Sequence, residues 1–487
     1  MKVIRKSHMI RMCQEAHIRA ERDFLVASEK SQWIVPLVAS FQDAHNLYLV
    51  MDYMVGGDFF GLLVRKGILP ENVAKWYVAE MILCVEEAHR LGWIHRDVKP
   101  ENFLITESGH LKLADFGLAF DDHWAHNQAY FSNHRYSLLD KLGLKVDGDF
   151  KDQTEHIGAL CGAPSVPSAN AVEPPLEGER ILDWRNHIQR RRFARSIVGT
   201  SQYMAPEIIR GEPYDGRCDW WSIGIVLYEC LYGGTPFYCD NREDTKQCVL
   251  NHRFTLAFPT DRNTDKLISM SAIDLIERLL QDKENRLSSR AYQENDRLHF
   301  TTVGHRIVVQ QMDPSNPNYK GRHVYPDDAR DIKAHPFFKD ISWNELLHQT
   351  PPYLPRVKNP HDTKYFGNAD EELADQNVIP SGSSTMVPNT DEARPPQQDG
   401  AIPDENMNVS VTAKGSAREN QACPPPLPPR NRMPEDKNRP RDKILRDMIV
   451  GRTALDLRKK GAFIGYTYRR PIGTRQAAEI IDRHVFS

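Results

Sequence analysis

The sequence predicts an α+β fold in two lobes, a small strand-bearing lobe followed by a larger, mostly helical one. Three observations carry this. Residues 33–41 and 47–53 read as strands around the polar turn 42–46. Residues 71–92 repeat apolar side chains at helical spacing, with Val73, Trp76, Val78, Met81, Ile82, Val85 and Ala88 on one face. The apolar run from Trp220 to Leu231 fits a helix buried at the centre of a larger lobe.

Taken in order, Lys2 begins a short strand, and residues 7–27 follow with Ile10, Cys13, Ile18 and Leu25 at helical spacing and Glu21 in the last turns. The character changes after Gly56-Gly57, and helix 71–92 leads into a polar loop at 95–102. Phe103-Leu104-Ile105 and Leu111-Lys112-Leu113 then read as two short strands around the turn 106–109. Ile273, Ile276, Leu279 and Leu280 form a further helical face ahead of Arg286. Residues 367–440 are rich in Pro, Asn, Asp, Ser and Gln, too polar to offset ordering entropy, and read as a linker. Order resumes at Lys443. The expected division is 1–55 for the small lobe and 56–338 for the large lobe with an insert at 121–195. A tail segment 339–366, the linker 367–440 and a second tail segment 441–487 complete it.

Bulk properties exclude several classes. A net charge of -3 over 487 residues offers no basic face for a nucleic acid. No apolar run reaches the roughly 18–20 residues of a membrane span, and residues 1–12 lack the apolar stretch of a signal peptide. The 8 cysteines contain no C-x-x-C pair, so they read as reduced thiols rather than a zinc site or a disulfide frame. Asp121, Asp122, His123, His126 and His134 fit no metal-ligand spacing. The expected location is cytoplasmic, with nuclear or cortical pools in addition.

The chemistry sits in two motifs. His95-Arg96-Asp97-Val98-Lys99-Pro100-Glu101-Asn102 supplies a carboxylate, Asp97, suited to accept a hydroxyl proton, and Lys99 beside it to bond phosphoryl oxygens. Asn102, with Asp115 of Asp115-Phe116-Gly117, supplies hard oxygen ligands for Mg²⁺ on ATP phosphates. Together with Ala205-Pro206-Glu207 they match the catalytic centre of a protein kinase. Glu207 is expected to pair with Arg286, and Asp219 to cap the catalytic-loop backbone. Lys99 together with Thr200 resembles Ser/Thr rather than Tyr kinases.

Beyond these motifs, the chain resembles AGC-type kinases of the NDR/LATS branch, with a fungal look. His17-Ile18-Arg19-Ala20-Glu21-Arg22-Asp23 carries the likeness, as do the long insert, the basic run 185–195 and Phe463-Ile464-Gly465-Tyr466-Thr467-Tyr468. The resemblance implies a bilobal kinase fold with an AGC C-terminal extension. It implies ATP and Mg²⁺ as cofactors, with Lys2 anchoring phosphate and Glu21 as its helix partner. Met51 would be the gatekeeper, Asp52 and Met54 the hinge groups that meet adenine, and Leu104 the floor beneath the ring. Residues 463–468 would dock beside the helix of Glu21, and residues 362–366 would pass over the nucleotide cleft.

Ser196 and Thr467 fall at the two activating phosphosites, Arg96 is positioned to receive the first phosphate, and an upstream kinase would modify Thr467. The run 189–192 matches an autoinhibitory, partner-sensitive segment. Asp58, Glu101 and Glu229 match positions that read basic residues upstream of a Ser/Thr acceptor. The proline run from Pro425 to Arg430 fits an SH3 ligand. MOB co-activators bind an N-terminal region of the family that this sequence lacks.

One departure sets up two expectations. No G-x-G-x-x-G precedes Lys2 or occurs elsewhere. The favoured reading is a Ser/Thr kinase whose sequence here is truncated, with a small lobe lacking its N-terminal part. The alternative is a catalytically weak or inactive kinase-like regulatory module.

Overall fold

The computed structural model describes residues 1–121, 146–152, 201–259, 268–288, 290–296, 298–303, 306–311, 321–366 and 439–471. Ser196, the basic run 185–195, the proline run from Pro425 to Arg430 and most of the 121–195 and 367–440 stretches lie outside them.

The small lobe opens with β1 (Lys2–Arg5), in which Lys2 and Ile4 turn inward while Val3 and Arg5 face out. Two helices follow, α1 (Lys6–Arg11) and α2 (Glu15–Ala27). The helical pattern at 7–27 predicts one element; the structure divides it at Cys13, whose φ of 53° lies in the left-handed region that interrupts a helix. β2 (Leu37–Gln42) starts later than the pattern suggests, because Pro36 cannot donate to a ladder, and β3 (Asn46–Met51) ends two residues before Tyr53. Leu47 and Leu49 are fully buried while their neighbours are not, the period-two pattern of a one-sided sheet.

This sheet has a fourth member from far along the chain. Tyr468–Arg469, β8 in chain order, pairs antiparallel with β2, giving the order β1-β3-β2-β8.

The large lobe begins at α3 (Phe59–Lys66), capped by the Asp58 carboxylate, which accepts from Gly61 N at 2.7 Å. α4 (Glu71–Arg90) buries Ala74, Tyr77, Val78, Met81, Ile82, Val85 and Ala88 along one stripe. The hairpin β4 (Phe103–Ile105) and β5 (Leu111–Leu113) lies against it. α5 (Arg217–Tyr232) is buried on nearly every side, with Trp220, Trp221, Ile223 and Ile225 all at 0% exposure, and forms the lobe's axis. It ends at Gly233, whose φ of 81° suits a glycine C-cap. α6 (Arg242–Leu250) and α7 (Met270–Leu279) follow, capped by Asn241 and Ser269. A second hairpin, β6 (Leu298–Val303) with β7 (Arg306–Gln311), is an element the sequence reading passed over. Its β-branched runs around Gly304 were the available signal. No helix among the described residues is long and apolar enough to cross a membrane.

The tail returns to the small lobe. α8 (Gly451–Gly461) packs on α1, and Arg458 bonds Asp442 at 2.7 Å and also reaches Glu15. The tail also holds the short insert segment 146–152. Arg439 makes paired bonds to Asp149 (2.8 and 2.7 Å), and Arg446 makes paired bonds to Asp152 (2.7 and 2.7 Å). Gly148, just before Asp149, has a φ of 76°, and an added Cβ would come within 2.3 Å of Asp152.

Candidate active site

The catalytic loop is built around Asp219 at the start of α5. Its carboxylate, 1% exposed, accepts from His95 N and Arg96 N, both at 2.8 Å. These bonds hold Arg96 at a φ of 67°, a conformation that costs energy in a non-glycine residue and persists only when its surroundings fix it. The His95 ring donates from Nε2 to Ala114 O (3.1 Å) and accepts from Asp97 N at Nδ1 (3.3 Å). One imidazole thus joins the loop carrying Asp97 to the strand end carrying Asp115.

Asp97 and Lys99 are paired, with Oδ2 and Nζ 2.7 Å apart. Asn102 donates from Nδ2 to Asp97 O at 2.7 Å, and its backbone carbonyl accepts from Ala114 N at 2.9 Å. With the amide nitrogen so used, the amide oxygen is the end of Asn102 turned to other partners. Asp115 has a φ of 57° and a half-exposed carboxylate. An amide oxygen and a carboxylate fit a hard cation such as Mg²⁺, which takes oxygen ligands.

Lys2 reaches this group from β1. Its Nζ bonds Glu21 Oε1 at 2.8 Å and Asp115 Oδ1 at 3.0 Å, bridging strand, helix and Asp-Phe-Gly motif. Burial alone would push the Lys2 ammonium down, yet the carboxylates of Glu21 and Asp115 raise it above its ordinary value. Glu21 is raised chiefly by its full burial, against the pull of Lys2. Burial opposes charge on Asp115, but Lys2 holds it below the usual carboxylate range. Gly117 leaves room for the arrangement, since an added Cβ there would lie 3.3 Å from Asp115 and 3.6 Å from Glu21.

The residues expected at the hinge present complementary backbone groups. Asp52 N–H is taken by Pro36 O (3.0 Å), so its carbonyl is the group it can offer; Met54 O accepts from Gly57 N (3.2 Å), so Met54 offers its N–H. Met51 ends β3 opposite Leu37, and Leu104 lies in the middle of β4. Tail residues 362–366 meet the segment after β3, where Tyr53 OH donates to Asp362 O at 2.9 Å and its ring lies 5.2 Å from that of Phe366.

The three acids Asp58, Glu101 and Glu229 share one field. Burial raises Glu101, and Asp97 and Asp58 add to it; burial raises Glu229, and Glu101 adds to it. Two of the three also hold structure, because Asp58 caps α3 and Glu229 accepts from Tyr203 OH at 2.8 Å.

Thr467 lies elsewhere, exposed on the tail between two docked tyrosines. Phe463 and Tyr466 are each 1% exposed; Ser40 Oγ donates to Tyr466 O (2.6 Å), Gln42 Nε2 to Phe463 O (2.9 Å), and Arg19 Nε to Ala462 O (2.9 Å). Arg96 is engaged by Leu118 O (2.5 Å), Ala119 O (3.4 Å) and Tyr214 OH (3.0 Å). Sequence reasoning missed His17 as its neighbour. Burial, then Arg96 and Arg441, depress this imidazole to about 4. The available signal was its place one helical turn before Glu21.

Glu207 and Arg286 are doubly bonded (2.7 and 2.9 Å) and nearly inaccessible, tying the Ala-Pro-Glu segment to the loop after α7.

Comparison with known proteins settles the family. The protein kinase domain matches residues 1–136 and 182–296. The chain belongs to the protein kinase family. Within it, this kinase is similar to the serine/threonine-protein kinase cbk1 of Emericella nidulans, 52% identical over 469 residues, covering 94% of this chain and 51% of that protein. It is similar also to CBK1 of Saccharomyces cerevisiae, at 36% over 366 residues (75% of this chain, 42% of the relative). LATS2 of Mus musculus matches at 35% over 374 residues (76% and 30%). These likenesses put the kinase in the NDR/LATS branch. It spans about half the length, or less, of these relatives.

Proposed function

We propose that this kinase transfers the γ-phosphate of ATP to Ser or Thr hydroxyls of proteins that carry basic residues upstream of the acceptor. The observation that carries the reading is the single Lys2 ammonium held between Glu21 and Asp115. A buried helix carboxylate has no structural need of a lysine that also touches the Asp-Phe-Gly motif, whereas phosphate positioning needs all three.

Asp97 orients the acceptor hydroxyl and takes up its proton, with Lys99 fixing one carboxylate oxygen by their 2.7 Å contact. Lys2 and Lys99 supply positive charge where phosphoryl oxygens gain negative charge. Asn102 and Asp115 would hold Mg²⁺, which when bound neutralises phosphate charge. Asp52 O and Met54 N–H would meet the adenine edge, with Leu104 beneath and Met51 behind. Asp58, Glu101 and Glu229 would favour Arg or Lys in the substrate.

Two phosphorylations would regulate the enzyme. A phosphate on Ser196 would enter the positive field of Arg96 and Arg441 and draw Arg96 from its backbone carbonyl partners. A phosphate on Thr467, added by a separate kinase, would act on a tail segment already docked against α2 and β2.

The test is direct. Mg-ATP should raise the melting temperature of the full chain, Asp115→Ala should abolish the rise, and a basic Ser peptide should be phosphorylated faster than an acidic one. A flat thermal response in both proteins, with no peptide phosphorylation, would favour a kinase-like binding module instead.

A further inference from the structure

Cys239 and Cys248, nine positions apart, are brought together by the fold. Their sulfurs lie 3.4 Å from each other, and both residues are partly exposed. Cys239 stands on the irregular segment between α5 and α6, and Cys248 in the second half of α6.

The segment is already folded onto that helix. Thr245, 2% exposed, accepts from Cys239 N at 3.3 Å and donates within reach of Cys239 O (3.2 Å) and Asn241 O (3.1 Å). Phe237 anchors the near end, buried against Trp221 with ring centroids 5.8 Å apart. The far end is pinned where Asn241 caps α6 by accepting from Glu243 N at 3.0 Å.

We propose that Cys239 and Cys248 are a modification site that closes reversibly to an intramolecular disulfide. The gap must shrink from 3.4 Å to about 2.05 Å. Cys239 lies outside regular structure, and Gly234 in the same segment has open space around it, so the segment can give by that amount. The buried thiols Cys84, Cys218 and Cys230 offer no such pair among the described residues.

The oxidant is hydrogen peroxide. One sulfur, as thiolate, attacks a peroxide oxygen; the O–O bond breaks, hydroxide leaves, and a sulfenic acid remains. The second sulfur attacks the sulfenic sulfur, the S–S bond forms, and the hydroxyl departs as water with the remaining thiol proton. Two electrons leave the sulfur pair and reduce one peroxide. The contact with Cys248, with Asp244 and Asp240 nearby, pushes the Cys239 thiol up, so closure accelerates as the solution is made more alkaline. The same segment touches Gln202 through Thr235 (3.3 Å), and the adjacent Tyr203 bonds Glu229.

The experiment uses the full chain, reduced, freed of reductant, exposed to hydrogen peroxide, alkylated and digested with trypsin. Arg242 and Lys246 lie between the two cysteines, so the disulfide would join two separate tryptic peptides. The expected result is that linked pair as the main disulfide, reversed by dithiothreitol and absent from both Cys239→Ser and Cys248→Ser. The oxidised chain should melt a few degrees higher, and neither variant should show that rise. Full alkylation of both residues after oxidation would overturn the proposal. So would pairing of either cysteine with a different one, or linkage between chains.

Discussion

Phe24 of α2 and Phe116 of the Asp-Phe-Gly motif stack with ring centroids 3.7 Å apart and planes 24° from parallel. Phe24 lies on the helix of Glu21, and Phe116 follows Asp115. The contact therefore ties the two carboxylates that share Lys2. His95 closes the other side of Phe116, edge-on at 4.7 Å.

Phe24→Leu keeps an apolar side chain but removes the stack, worth about 0.5–1.5 kcal/mol. Apparent Mg-ATP affinity, measured by thermal-shift titration, should weaken by roughly two- to tenfold. Unchanged affinity would mean that α2 and the motif are held together by other contacts.

Lys2→Met leaves Glu21 buried without its cation, and a carboxyl so placed will take up a proton. Initial-rate measurements with a basic peptide should show kcat lowered by about 10²–10³, the scale of losing one preorganised charge contact. A loss below threefold would detach Lys2 from the reaction.

His89 is the stability counterpart. Its ring nitrogens bond Asp328 at 2.8 Å and Asp219 at 2.9 Å. Burial pushes this imidazole down, but the two carboxylates more than offset it and raise it from 6.5 to about 10. Its contribution is complete below pH 6.5, where the unfolded chain is protonated too, and drains away as pH climbs toward about 10. His89→Leu should cost about 3–5 kcal/mol at neutral pH and flatten the alkaline fall in melting temperature. Parallel curves for variant and parent would refute the assignment.

His17 should behave oppositely. Its imidazole is depressed to about 4, so the unfolded chain binds the proton first and stability falls as pH drops below 6.5. Phosphorylation of Ser196 should move the His17 titration upward, read from its ring proton by NMR. No movement would place that phosphate away from Arg96.

Phe463→Ala empties a site that is 1% exposed on the small lobe. A change of this kind costs about 3–5 kcal/mol in a rigid core. Here the tail can lift instead, so the expected sign is faster hydrogen exchange in α2 and β2, with α5 unaffected. Uniformly faster exchange would point to global destabilisation.

Much of this architecture is legible before any coordinates. His95–Asn102 and Asp115–Gly117 are contiguous, so their chemistry is readable in sequence, and the stripe on α4 announces itself by period. The partners of Asp219 and Arg286 are also foreseeable, because they answer fixed backbone or charge needs. What escapes is whatever depends on chain reversal. Nothing local signals the left-handed turn at Cys13 that separates α1 from α2. The meeting of Cys239 and Cys248 is set by how α6 turns back on its loop. Arg439 and Arg446 find Asp149 and Asp152 nearly 300 positions away, a distance over which charge pattern says nothing.

The pairing of Ser40 with Tyr468 also bears on how the protein is made. During synthesis the outer edge of β2 emerges long before the residues that cover it. At about 5–20 residues per second, that edge waits for tens of seconds with unpaired N–H and C=O groups. An open strand edge is a template for pairing with other chains. The nascent chain therefore passes through an interval in which its large lobe can form while its small sheet is unfinished, and yield in cells should depend on chaperones that shield β2 until residue 468 leaves the ribosome.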